Sequence, residues 1–295
     1  MSVRASLISF LLRRTVKKTM SNFVDPISVR ARFSTSPKKL SAKVKSERLD
    51  AGGVPGSWLS KQNASTSKVV LYLHGGGYVF GGYGSHCEIA SEMADLIGGR
   101  ALLLDYRLAP EHPFPAAFED ALSSYRWILD EGYKPEDIFL AGDSAGGGLS
   151  VALLVSLKKI GLPLPKAVCL FSPWVDLTCV SASIGRNALS DCMLSPGALD
   201  RFKNHYLRGA DPRDERASPI FGDLSGLPPT YVAVGSEEIL LDDSKQLVTK
   251  IRSTGGSAAL SIWPNMPHVF PILSSVIPEG RLALKEFASF KDLHA

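Results

Sequence analysis

The sequence predicts an α/β fold, a mostly parallel eight-stranded sheet flanked by helices, and three observations carry that expectation. Six apolar runs read VVLYLH (69–74), ALLLDY (101–106), DIFLAGD (137–143), AVCLFSP (167–173), TYVAV (230–234) and ALSIW (259–263). They are continuous rather than alternating, as strands buried on both faces of a parallel sheet must be. Helical periodicities fill the intervals, around 84–97, 115–131, 145–160, 242–253 and 280–293. With 295 residues, 45% hydrophobic and 21% charged, the chain is long enough to bury a core without disulfides or metal.

In order along the chain, the opening MSVRASLISFLLRRTVKKTM comes first. Its apolar run SLISFLL is short, is followed by basic residues and lacks a small-residue cleavage site, so it makes a poor secretory signal. It is too short to span a membrane. The Arg/Ser-rich, acid-poor character is shared with organellar transit peptides, but an amphipathic helix is the better reading. That helix would turn Val3, Leu7, Phe10 and Leu11 to the body and Arg13, Arg14, Lys17 and Lys18 to solvent. KVKSERL and GVPGSWLS then read as two short strands joined at Gly52-Gly53, completing the eight. The six buried runs and their helices follow.

One interval breaks the rhythm: more than fifty residues separate Pro173 from Thr230, with a helix-like SPGALDRFKNHYL inside. An excursion of that length between strands suits a lid or cap. The expected division is therefore a helical cap over 1–43, joined by part of 180–210, and a catalytic domain over 44–295.

Charge is uneven. Residues 1–45 hold eleven Lys/Arg and one acid, Asp25, so they carry +10 and the other 250 residues −6. Such an arm suits nucleic acid, an anionic membrane or an acidic patch of its own body, and a wet positive face of a cap helix is the preferred account. Cys87, Cys169, Cys179 and Cys192 show no C-x-x-C pairing and no histidine at ligand spacing, which suits buried free thiols in a reducing, cytoplasmic compartment. No metal site is expected.

Two motifs carry chemistry. AGDSAGGG (141–148) follows a buried strand and opens a helix, and Gly142-Asp143-Ser144-Ala145-Gly146 fits G-x-S-x-G, the sharp turn that holds a serine hydroxyl proud of a sheet. A Cβ at either glycine would collide across the turn. LHGGGYVFGG (73–82) follows the strand VVLYL, and its glycines leave backbone N–H groups free. Gly76 and Gly77, with Ala145, are candidate oxyanion donors. A phosphate loop fits badly, since no Lys-Ser/Thr follows and the G-x-G-x-x-G spacing is absent. Of six histidines, His294 lies at the terminus and only His268, in PNMPHVF, sits in the loop just past the last expected strand, where the order nucleophile, acid, base places the base of an α/β-hydrolase.

HGGGY (74–78), DYRLAPEHPFPAAFEDA (105–121), GDSAGG (142–147), SPWVDLT (172–178) and MPHVF (266–270) together resemble the hormone-sensitive-lipase-like esterases, a branch of the α/β-hydrolase fold. The resemblance runs from about residue 44 to the C-terminus. It implies a carboxylesterase for short- to medium-chain acyl esters, without cofactor, under an N-terminal helical cap. It implies Ser144 as nucleophile, His268 as base, and Gly76, Gly77 and Ala145 as oxyanion donors. Arg107, Glu111, Glu119 and Asp120 brace the scaffold in this reading.

The acid is less direct. Asp176 sits where some α/β-hydrolases carry it. Asp242 and Asp243 open an amphipathic helix, where carboxylates favour the dipole and cap N–H groups. The family frame, Asp-x-Leu followed by two acids, matches Glu238-Ile239-Leu240 with Glu in place of Asp, and leaves Glu237 solvated. Glu238 is preferred, with Asp176 and Glu237 as the alternatives. The expected reaction is two-step acyl transfer, failing below about pH 6 as the histidine protonates. An amidase or arylacetamide-type deacetylase on the same triad is the alternative, and a catalytically silent receptor a more remote one. The expected partner is a small-molecule ester, with no nucleic acid and no integral membrane association, and a homodimer as the candidate assembly. Tyr78, Phe80 and Trp174 are candidates for the acyl pocket.

Overall fold

The computed structural model describes residues 1–22, 25–28, 30, 40 and 43–294. Its centre is one eight-stranded sheet in the order β1-β2-β4-β3-β5-β6-β7-β8. The strands are β1 (Val44–Asp50), β2 (Pro55–Lys61), β3 (Val69–Leu73), β4 (Arg100–Leu104), β5 (Ile138–Asp143), β6 (Ala167–Phe171), β7 (Thr230–Gly235) and β8 (Ala258–Trp263). β2 pairs antiparallel with both β1 and β4, and all other neighbours are parallel.

Alternate side chains of each strand enter two separate cores. Val69, Leu71 and Leu73 join the cluster of α4 (Ala116–Asp130), α5 (Ser144–Lys159) and α8 (Leu241–Ser253). Val70 and Tyr72 join that of α3 (Tyr83–Ile97) and α9 (Pro278–Asp292). Two-face burial is why these strands lack polar alternation. β8 departs from that expectation: as an edge strand it keeps every residue at least partly exposed. The excursion after β6 carries α6 (Ala182–Arg186) and α7 (Pro196–Leu207).

The N-terminal helix runs from α1 (Val3–Leu12) through a wider π turn (Arg13–Lys17) into α2 (Lys18–Asn22). Its orientation reverses the expectation from periodicity. Val3, Leu7, Phe10 and Leu11 point outward, while Ala5 and Met20 are buried and Ile8 and Val16 pack on the cores. Arg14 and Lys18 are exposed as expected; Arg13, also exposed, donates to the carbonyls of Leu189 and Ser190, and half-buried Lys17 donates to those of Ala188 and Asp191 (2.8 and 2.6 Å). The apolar residues of α1 fall on every side of it, so periodicity cannot choose its inner face. Docking chooses it: Ser2 caps α1 and its hydroxyl donates to Glu279 on α9 at 2.9 Å. About a third of the expected cap range 1–43, including Arg32, Lys38 and Lys39, lies outside the described residues.

Candidate active site

β5 ends at Asp143 and α5 begins at Ser144, with no loop between. Ser144 is held at φ +51°, a strained conformation for a residue with a side chain. The glycines make it possible. A Cβ on Gly142 would lie 2.5 Å from the Gly146 carbonyl oxygen, and one on Gly146 would lie 2.1 Å from that of Leu73. The Trp174 N–H donates to the Ser144 carbonyl at 2.9 Å, fixing the turn against the loop after β6. Gly146→Ala is accordingly expected to lower stability by about 2 kcal/mol or more, read as a fall in the urea midpoint.

The glycine loop after β3 lies beside this turn. Asp143 accepts from the Gly75 N–H (3.1 Å) and the Tyr72 hydroxyl (3.0 Å), with His86 Nε2 at 3.4 Å. The residue before Ser144 thus ties the loop to the elbow. Gly76 (φ +116°) and Gly77 (φ +61°) follow, where a Cβ would meet the Phe80 carbonyl at 2.1 Å or the Phe202 ring at 2.6 Å. Both line the same cavity as Ser144, and Ala145 is buried at the first turn of α5. His74 is buried and stacked on Tyr106, and burial above all lowers it to about 4, which keeps it neutral.

His268 and Glu238 enter from the turns after β8 and β7. His268 Nε2 lies 2.9 Å from Ser144 Oγ, and its Nδ1 lies 2.7 Å from Glu238 Oε2. The second Glu238 oxygen accepts from the Ser172 hydroxyl (2.8 Å) and the Gly235 N–H (2.5 Å). Ser172 Oγ in turn accepts from the Val269 N–H at 3.1 Å, so one hydroxyl braces both the acid and the histidine loop. Burial pushes the Glu238 carboxyl above its ordinary value, with the His268 bond opposing. Burial disfavours the His268 imidazolium, but the bond and charge of Glu238 outweigh it and raise the histidine above its ordinary value.

The other acids lie elsewhere. Asp176 accepts from the backbone and hydroxyl of Thr178 (2.8 and 2.5 Å). Glu237 is half-buried rather than fully solvated. Asp242 and Asp243 sit in the first turn of α8, as expected, but the helix's free N–H is served by the Ser183 hydroxyl, which accepts from Asp242 N at 3.0 Å. Asp243 instead reaches back to the loop after β6, accepting from Val175 and Asp176 N–H (both 3.2 Å) and from the Ser181 hydroxyl (2.6 Å). Burial raises it to about 7.

Several positions escaped sequence reasoning. Ser172 is one; its only signal is its place in SPWVDLT at the end of β6. Asn187 is another, donating to the Glu238 carbonyl at 2.8 Å. Asp191, whose carboxylate accepts from Ile239 N–H at 3.0 Å, is a third. Of the expected scaffold braces, Asp120 accepts from Arg107 N and Nε (2.7 and 2.9 Å), and Glu111 pairs with Arg30 at 2.7 Å.

Ser144 opens into an apolar cavity of about 250 Å³. Leu12, Val16 and Met20 of the N-terminal helix form part of its wall, facing Leu199 and Phe202 of α7. Phe80 and Trp174 line it as expected. Tyr78 does not: it is buried, stacked on Tyr206 with centroids 3.7 Å apart.

Comparison with known proteins agrees with this fold. A profile of the alpha/beta hydrolase fold matches residues 70–272. An acetyl-hydrolase of Streptomyces hygroscopicus is 44% identical over 223 residues, 76% of this chain and 75% of that protein. An esterase of Acinetobacter venetianus is 36% identical over 255 residues, 86% of this chain and 83% of that one. Among solved structures, the esterase EstE5 soaked with p-nitrophenyl butyrate superposes with a TM-score of 0.94 at 38% identity, covering 100% of this chain and 99% of that one. An esterase from the bacterial hormone-sensitive lipase family gives 0.92 at 39% identity, covering 100% and 98%. The chain belongs to the α/β-hydrolase fold family, as a serine esterase of its hormone-sensitive-lipase-like branch.

Proposed function

We propose that the chain hydrolyses short- to medium-chain acyl esters through a Ser144 acyl-enzyme, with His268 as base and Glu238 as its orienting acid. The observation that carries the reading is the unbroken hydrogen-bond line from Ser144 Oγ through His268 to Glu238. Its roles follow from its chemistry. Neutral His268 takes the Ser144 proton at Nε2 as Oγ attacks the ester carbonyl. Glu238 holds the proton on Nδ1, which keeps Nε2 free to accept and stabilises the imidazolium that forms. The backbone N–H groups of Gly76, Gly77 and Ala145 receive the oxyanion, each such donor contributing about 3 kcal/mol in the transition state. The imidazolium then protonates the departing alkoxide, and water, deprotonated by the same nitrogen, releases the acid.

The cavity supports the acyl-length part of the reading. At about 250 Å³ it lies below the usual range of drug-sized ligand sites, and its wall is almost wholly apolar. Across a series of p-nitrophenyl esters, kcat/KM is expected to peak within short to medium chains and fall for long ones. A series still rising at palmitate would refute this pocket as the acyl site.

The acid limb of activity follows from the raised histidine. Only neutral His268 accepts a proton, so a pKa above the ordinary value of about 6.5 moves the loss of kcat/KM to higher pH, rather than to about pH 6. A pH profile on a neutral soluble ester measures it. For location, we infer a reducing, cytoplasmic setting, supported by four cysteines whose spacing shows no C-x-x-C pairing.

A further inference from the structure

The N-terminal helix has two apolar faces, and the active-site cavity uses one. The other stands in solvent: Val3 is 87% exposed, Leu7 60%, Phe10 49% and Leu11 46%. A helix that is hydrophobic all round is normally covered on all sides. The charge around the outer face is of one sign. Arg4, Arg14 and Lys18 are exposed on the same side, the Arg14 guanidinium lies 4.3 Å above the Phe10 ring, and residues 1–22 contain no acid. Leu189, whose carbonyl Arg13 holds, adds an exposed apolar side chain beside it (85%).

We propose that this face docks on an anionic lipid surface. Apolar side chains ringed by cations are the pattern of a helix lying in a membrane interface. No helix among the described residues is long and apolar enough to cross a membrane, so the docking is peripheral. A second copy fits the face poorly, because an isologous contact would set its cations against each other. The helix's own charge reinforces the choice of side: residues 1–22 carry five Lys/Arg and no acid, so this helix is the part drawn to negative lipid. The inner face of the same helix supplies Leu12, Val16 and Met20 to the cavity, so docking sets the cavity beside the bilayer. Apolar esters concentrated in the lipid then reach Ser144 without crossing bulk water.

Cosedimentation with vesicles tests this without turnover. Wild type is expected to partition onto equimolar phosphatidylcholine/phosphatidylglycerol about ten-fold more strongly than onto phosphatidylcholine alone. The double variant Leu7→Ser/Phe10→Ser is expected to lose about ten-fold of that binding, and Arg14→Gln/Lys18→Gln to bind both vesicles alike. Both variants are expected to cleave soluble p-nitrophenyl acetate at the wild-type rate, since these side chains face away from the cavity. Equal or absent wild-type partitioning overturns the proposal. So does a wild-type dimer in solution that Leu7→Ser/Phe10→Ser converts to monomer, because a second copy then covers the face. Should the apolar variant misfold, the wild-type comparison and the charge variant decide alone.

Discussion

Ser144→Ala is expected to lower kcat on p-nitrophenyl butyrate by about a million-fold while leaving KM within a few-fold. The reason for the size is that the variant loses the proposed covalent route itself, whereas the cavity proposed for the acyl chain is unchanged. The small residue left over would come from the backbone donors of Gly76, Gly77 and Ala145, which do not depend on the hydroxyl. The substitution removes only the hydroxyl and keeps the Cβ already accommodated at φ +51°, leaving the backbone bonds unaltered, so folding is expected to survive. Stopped-flow and long-time endpoint assays together cover that range.

Glu238→Gln is expected to cost about ten-thousand-fold in kcat, because an amide cannot both accept from Nδ1–H and balance the imidazolium. The variant has a second signature. Glu238 is what raises His268 against the burial that opposes its charging, so removing the carboxylate leaves burial to dominate. The acid limb of the residual activity should therefore shift to lower pH. Asp176→Asn supplies the contrast: its carboxylate is spent on Thr178, so the expected loss is in stability, with kcat little changed. A crippled Asp176→Asn beside a fully active Glu238→Gln would move the acid to the loop after β6.

Much of this was legible before any coordinates. The buried strands announced themselves because a parallel sheet covered on both faces has no polar side to show, and all six runs became β3 to β8 within two residues at either end. The elbow was legible because the collision that demands glycine at 142 and 146 is local. His268 needed the order of elements, and Glu238 the family frame, since four carboxylates in seven positions look alike in sequence. What separates them is distance across the fold: Glu238 reaches His268 thirty residues away, while Asp243 turns to a loop sixty residues back. The same limit explains Ser172 and Asn187, whose value lies wholly in long-range bonds. The N-terminal helix was misoriented for a different reason. With apolar residues on every side, its inner face is set by Ser2 on Glu279 and by the carbonyls that receive Arg13 and Lys17, none of which periodicity encodes.

The central claim is that turnover passes through a covalent bond to Ser144. Stoichiometric inactivation with a p-nitrophenyl phosphonate, followed by peptide mass spectrometry, tests it most directly. The predicted result is one phosphonyl group per chain on the peptide containing Ser144, activity falling in step with labelling, and no label on Ser144→Ala. Esterase activity that persists with Ser144 fully phosphonylated, or that falls in step with a label on another residue, would contradict the account.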